Sequence, residues 1–259
     1  MQNGHKNAII IFIFILVTLS ACTGSGMKDP QVSPPFTEQS PTTSGLCNNV
    51  LYPIKQDATW TYASTGGPGG SFTYTDTITS TRADGFTITS QFADLTRTQE
   101  WTCQADGLIA LQLGGGTAAG ISTLGMTAAF TTSEVTGISL PKEVTAGMQW
   151  NYSLKMQGTM AMPGDQQAQS NGAYSVIMQE VGTESITVPV GVFEATKIQA
   201  NSTIDIITIF EGIEVPIRFN GITISWYVPG IGFVKSVENG DFGGTTFSAT
   251  TELQSYNVP

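Results

Sequence analysis

Few residues in this chain could do chemistry, and their spacing narrows the field further. The one histidine is His5, near the N-terminus. Three cysteines, Cys22, Cys47 and Cys103, could carry an acyl group, close a disulfide or act as thiolates. Ser25 and Lys28 have the Ser-x-x-Lys spacing of an activated nucleophile. Met156, Met160 and Met162 share a face of any extended strand, and thioethers are soft ligands suited to Cu(I). Glu211, Glu214, Glu238 and Asp241 could pair as acid and base or gather calcium. The glycine-rich stretch LGGGTAAG (113–120) raises the question of a phosphate loop.

The elements around these residues decide among the readings. Lys6 precedes an unbroken apolar run, AIIIFIFILV (8–17), too short to span a bilayer comfortably and suited to a signal-peptide core. LSAC (19–22) follows and resembles the lipobox of bacterial lipoproteins, which implies cleavage after residue 21 and acylation of Cys22. An ordinary secretory signal with a chance cysteine is the alternative. Residues 22–45 are rich in Ser, Thr, Pro and Gly and read as a disordered tether to the membrane. Loss of residues 1–21 removes His5, and with it the commonest general base, the His-activated nucleophiles and most zinc sites. Ser25 and Lys28 lie in the tether, where nothing holds a geometry. The glycine-rich stretch lacks dinucleotide spacing and a following helix. The four carboxylates flank turn signals, where solvated acids are ordinary. The methionines read as adaptable strand filler, with the Cu(I) set as the weaker reading. The expectation is a protein without catalytic residues, resident metal or cofactor.

Ten basic and twenty acidic side chains give a formal net charge of −10, which argues against a nucleic-acid partner. From Leu46 onward helical periodicity is scarce and alternation common. FTYTDTI (72–78) and FTITSQF (86–92) alternate like half-buried strands, with Asp84-Gly85 between them as a turn signal. Asn220-Gly221 and Asn239-Gly240 read as two further hairpin turns. The fold class expected is all-β, antiparallel and curved, as a sandwich or an open half-barrel.

Two phrases recur. YPIKQDATWTY (52–62) answers to LPKEVTAGMQWNY (140–152), so Trp60 matches Trp150 and Tyr62 matches Tyr152. WTCQADGLIAL (101–111) answers to WYVPGIGFVKSV (226–237), so Trp101 matches Trp226 and Gly107 matches Gly232. All four tryptophans fall on these phrases. They imply one β-module used twice, residues 46–136 and 137–259, the second with an insertion near 156–174. The aromatics then belong to the core. Cys47 and Cys103 both lack counterparts in the second copy, where Val228 matches Cys103. This paired absence, in an exported protein, points to a Cys47–Cys103 disulfide, with two buried thiols as the alternative.

GVFEATKIQ (191–199) followed by WYVPGIGFVKSVE (226–238) resembles uncharacterised bacterial envelope β-proteins, domains of unknown function that are often lipoproteins. They share a G-x-F-x-A-x-K strand and a W-Y-x-P-x-x-G-x-V-K strand. Some resemble lipoprotein-carrier half-barrels, whose concave apolar face holds acyl chains, although this sequence lacks helices to plug such a face. The resemblance implies a lipid-anchored extracytoplasmic protein of the bacterial envelope that binds a hydrophobic ligand or an envelope partner without catalysis. A structural lipoprotein without a ligand is the alternative. The insertion at 156–174, read as a loop, is where specificity is expected.

Overall fold

Alternation sets the strands. In β1 (Thr59–Gly67) Trp60, Tyr62 and Ser64 are buried; β2 (Gly70–Arg82) buries Tyr74 and Ile78; β3 (Gly85–Gln91) buries Phe86, Ile88 and Ser90. Threonine fills many places between, since β-branched side chains suit a pleated, half-wet surface. Ten more strands follow among the described residues: β4 (Thr96–Gln104), β5 (Gly107–Ala110), β6 (Ala128–Gly137), β7 (Leu140–Pro141), β8 (Gln149–Met162), β9 (Gln166–Val188), β10 (Gly191–Phe210), β11 (Ile213–Val228), β12 (Gly232–Phe242) and β13 (Thr245–Asn257). This computed structural model describes residues 45–114, 128–162, 166–242 and 244–259. The signal segment, Cys22 and nearly all of the tether lie outside the described residues. Those described contain no helix.

The thirteen strands make one antiparallel sheet, ordered β6-β8-β9-β10-β11-β12-β13-β1-β2-β3-β4-β5-β7, which curls into a half-barrel. The first and last strands of the chain pair in its interior, from Thr59↔Asn257 to Thr65↔Thr250. A single residue run also joins the two sides of the curl. Gly137 of β6 pairs with Tyr152 of β8, and the Ile138 amide donates to Asn151. One residue later the Ser139 amide donates to Leu108, and Leu140 of β7 pairs with Leu108 of β5. Gly137 makes the switch possible. Its φ is 76°, and a Cβ there would lie 2.1 Å from the Asn151 carbonyl oxygen. The Tyr152 hydroxyl donates to the Ala110 carbonyl at 2.6 Å, and the Ala110 amide donates to Ser139 Oγ at 2.9 Å, so the junction is cross-braced.

The segment before β1 plugs this end of the curl. Asn49 Nδ2 donates to the Pro141 carbonyl, while Asn49 Oδ1 accepts from the Leu51 and Tyr52 amides. Tyr52 packs its ring against Trp60, Phe86 and Trp101. Cys47 is bonded to Cys103 of β4, with an S–S distance of 2.03 Å and 5.0 Å between Cα atoms. Residues 42–259 form one compact unit that contains every described strand, the disulfide and both clusters of buried side chains.

Two turn expectations are corrected. Asp84-Gly85 does mark the β2–β3 hairpin, where Arg82 pairs with Gly85. Asn220-Gly221 and Asn239-Gly240 are not turns: they lie inside β11 and β12, with Gly221 paired to Gly240. The phenyl rings of Phe219 and Phe247 lie over these glycines and stack at 5.8 Å between centroids. The glycines therefore make room for aromatic rings. The β10–β11 turn is Glu211-Gly212, with φ of 51° and 80°, the positive pair that a tight hairpin needs. Residues 156–162 and 166–174 are likewise strand and not loop, since Met156 pairs with Gly172 and Met160 with Ala168, extending β8 against β9; residues 163–165 lie outside the described residues.

The disulfide closes a sequence separation of 56 residues, worth about 4 kcal/mol in the chain-entropy model. Reduction, or the double substitution C47S/C103S, is expected to lower the denaturant midpoint of the body accordingly. It should also open the segment before β1 to protease ahead of global unfolding. A midpoint unchanged by reductant would show that the bridge constrains nothing.

Candidate functional site

At the other end of the curl the sheet does not fill itself. The turns β1–β2, β10–β11 and β12–β13 all lie at that end, and the concave face below them encloses a cavity of about 390 Å³. That volume lies within the range typical of small-molecule sites. Cross-strand register orders its wall into levels. Deepest are Tyr74, Tyr227 and Phe233; Tyr62 makes tilted ring contacts with Tyr74 and Phe233 and donates its hydroxyl to the Phe233 carbonyl at 3.0 Å. Above them stands a row of hydroxyls, Ser225, Ser236, Thr251 and Ser64, in register across β11, β12, β13 and β1. The next level is Ala200, Thr223, Glu238 and Ala249. Nearest the turns come Phe219 and Phe247, then Tyr174 with Ile204, and Ile206 with Ile217. Met160 closes one side, and its sulfur accepts the Thr208 hydroxyl at 3.8 Å.

Two carboxyls face inward. Glu238 projects from mid-strand into the cavity, and burial raises its pKa above the usual range. This corrects the expectation of a solvated acid at a hairpin end. The nearby Glu238 charge also helps to raise the pKa of Tyr174, whose chief cause is burial. Asp76, deeper still, keeps part of its surface open, yet the surrounding protein raises its pKa to about 6, against a 2.5 Å hydrogen bond from Ser90 that favours the charged form. Glu211 and Glu214 are exposed at the β10–β11 tip, and Asp241 accepts the Gly244 amide at 3.1 Å. The four acids are therefore dispersed.

The other residues singled out by sequence take structural places. Trp60 donates its indole N–H to the Ile231 carbonyl at 2.7 Å, and Trp150 donates to Ser139. Trp60, Tyr62, Trp150, Tyr152 and Trp226 are buried, and Trp101, half-buried, stacks on Phe86 at 5.5 Å. WYVPGIGFVKSV is thus the end of β11, its turn and the start of β12. Its Trp226 sits in a cross-strand row with Lys197 and Lys235. The Lys197 ammonium lies over the Trp226 ring at 5.5 Å, and Glu184 accepts from both Lys197 and the Trp226 N–H. Those two hydrogen bonds hold the Glu184 carboxyl below its ordinary pKa. Lys235 pairs with Glu252 at 2.7 Å. The lysine and tryptophan of the two shared motifs thus form a charge ladder clasping β9 to β13. Met156 is buried beside Met160 in the core; the side chain of Met162 lies outside the described residues, as do residues 115–120 of the glycine-rich stretch. Among the described residues no group of His, Cys, Asp and Glu gathers as metal ligands.

Sequence reasoning missed the hydroxyl row, because its members lie on four strands and only register brings them level.

The model of a family described as DUF3108-like matches residues 117–253. A solved structure from Bacteroides fragilis, provisionally described as an exported protein with a YmcC-like fold, is 16% identical. It superposes with a TM-score of 0.52, over 81% of this chain and 100% of its own. A second, from Parabacteroides distasonis and provisionally described as a lipoprotein, is 13% identical with a TM-score of 0.50, over 82% of this chain and 99% of its own. No curated protein sequence matches the chain.

Asp76 carries a pH prediction. A carboxyl whose folded pKa is raised stabilises the fold fully below its unfolded value of 3.8, and the benefit is lost as pH rises through about 6. The body is therefore expected to lose on the order of 2 kcal/mol from this group between pH 4 and 7. Asp76→Asn should flatten that part of the stability profile. An identical profile in the variant would remove Asp76 as its source.

Proposed function

This chain belongs to the DUF3108-like family, and on that premise we propose that it is a lipid-anchored, extracytoplasmic binding protein whose half-barrel holds a hydrophobic ligand. The observation that carries the reading is the cavity. Its upper wall is aliphatic and aromatic, its floor is tyrosine and phenylalanine, and the side chains around it leave about 390 Å³ between them. A sheet serving only as a scaffold gains by filling such a space, since each buried methylene adds about 0.8 kcal/mol. Export is supported by the signal-like N-terminus, by the disulfide and by the descriptions of the two similar structures as exported protein and lipoprotein. Acylation of Cys22 would supply the membrane partner, with the tether giving the body reach. No catalytic role is proposed. The polar groups of the cavity are hydroxyls and one carboxyl, without a base placed against a nucleophile.

Native mass spectrometry on residues 46–259, exported to an oxidising compartment without the anchor, tests the reading. The expected spectrum shows the chain two hydrogens lighter than its reduced mass, with a noncovalent apolar adduct. A bare chain after gentle purification would favour a scaffold that acts on protein neighbours.

A further inference from the structure

Glu238 stands in the cavity wall without a partner. Among the described residues no hydrogen bond or ion pair reaches its carboxylate, although six ion pairs and many hydrogen bonds satisfy charges elsewhere on the sheet. Its cross-strand neighbours are Thr223 and Ala249, neither of which bears charge. One carboxylate oxygen lies 3.5 Å from where a Cβ on Gly221 would be, beside the Phe219 ring that covers that glycine. One level deeper is the hydroxyl row, whose oxygens can accept hydrogen bonds. On the other side the wall turns aliphatic.

Glu238 is half-buried, and a carboxyl held there without a cation costs stability, which makes it a candidate selector within a ligand cavity. Resting on the reading of the cavity as a ligand site, we propose that it takes an amphiphile bearing a protonated amine, whose ammonium pairs with Glu238 while its alkyl chain lies along Phe219, Ile204 and Ile217. An ammonium offers three donors and no acceptor. One meets the carboxylate, and the others meet Ser236 on Glu238's own strand and Ser225 opposite it on β11. An anionic amphiphile would bring like charge to Glu238 and meets no basic side chain in the cavity wall. Burial raises the carboxyl's pKa, as expected of an acid with no cation beside it, and a bound ammonium would supply one.

The test uses residues 46–259 and the neutral fluorescent probe N-phenyl-1-naphthylamine, displaced by dodecylammonium, dodecanol or dodecanoate. The naphthylamine is expected to bind the wild-type body through the apolar wall; its affinity for Glu238→Gln is measured separately, so that each displacement is read relative to that protein's own probe affinity. Dodecylammonium should displace it at least ~10-fold more effectively than dodecanol, and dodecanoate least of all; a tenfold change corresponds to 1.4 kcal/mol. Glu238→Gln, which keeps the shape and removes the charge, should erase the preference for the ammonium. Equal displacement by ammonium and carboxylate, or an unchanged preference in the variant, would overturn the role of Glu238 while leaving the cavity as a ligand site. Failure of the naphthylamine to bind the wild-type body would overturn the cavity reading, and this inference with it.

Discussion

Among the described residues a sheet of thirteen strands curls on itself, and one short run of chain joins its two edge strands, β6 and β7. Between Gly137 and Pro141 the backbone leaves β8 and takes up β5. An open edge is a row of unsatisfied amides and carbonyls and a template for aggregation. Bridging the edges fixes the radius of the curl, and with it everything on the concave face. The junction tolerates no side chain at Gly137 and is braced by the Tyr152 hydroxyl, the Ser139 hydroxyl and the Trp150 indole.

The two ends of the curl are filled differently. At the junction end the strands bring Trp60, Phe86 and Leu108 together, and the segment from Cys47 to Ala58 lies across them, pinned by the disulfide and by Asn49. Carrier half-barrels are plugged by helices; here an irregular segment and a tyrosine ring take that place. At the other end a second buried cluster, with Met160, Ile204 and Ile206 packed against Phe219, lines the concave face without filling it. The same curl that encloses a core at one end therefore encloses a cavity at the other.

Much of this was legible in the residues. Thr-apolar alternation marked the strands, Trp-x-Tyr placed two rings on one face, and the shared family motifs pointed to a curved sheet. The lysines and the tryptophan of the two motifs line up across β10, β11 and β12, and Glu184 of β9 and Glu252 of β13 complete the row at either side. The Asn-Gly pairs misled because local turn preference cannot reveal that two glycines face each other across a ladder, each covered by a phenylalanine. Glu238 was misplaced for the same reason: once Asn239-Gly240 is taken as a turn, the residue before it reads as solvated. Register, which depends on the whole sheet, was the missing information.

The central claim is that the open end of the half-barrel is a ligand site. A crystal structure of the body purified from an exporting cell without detergent tests this directly. The account predicts elongated electron density along the concave face, beginning beside Glu238 and running past Phe219 toward the β10–β11 turn. A wall in which Phe219, Phe247 and Tyr174 have rotated inward to close the space on themselves would contradict it.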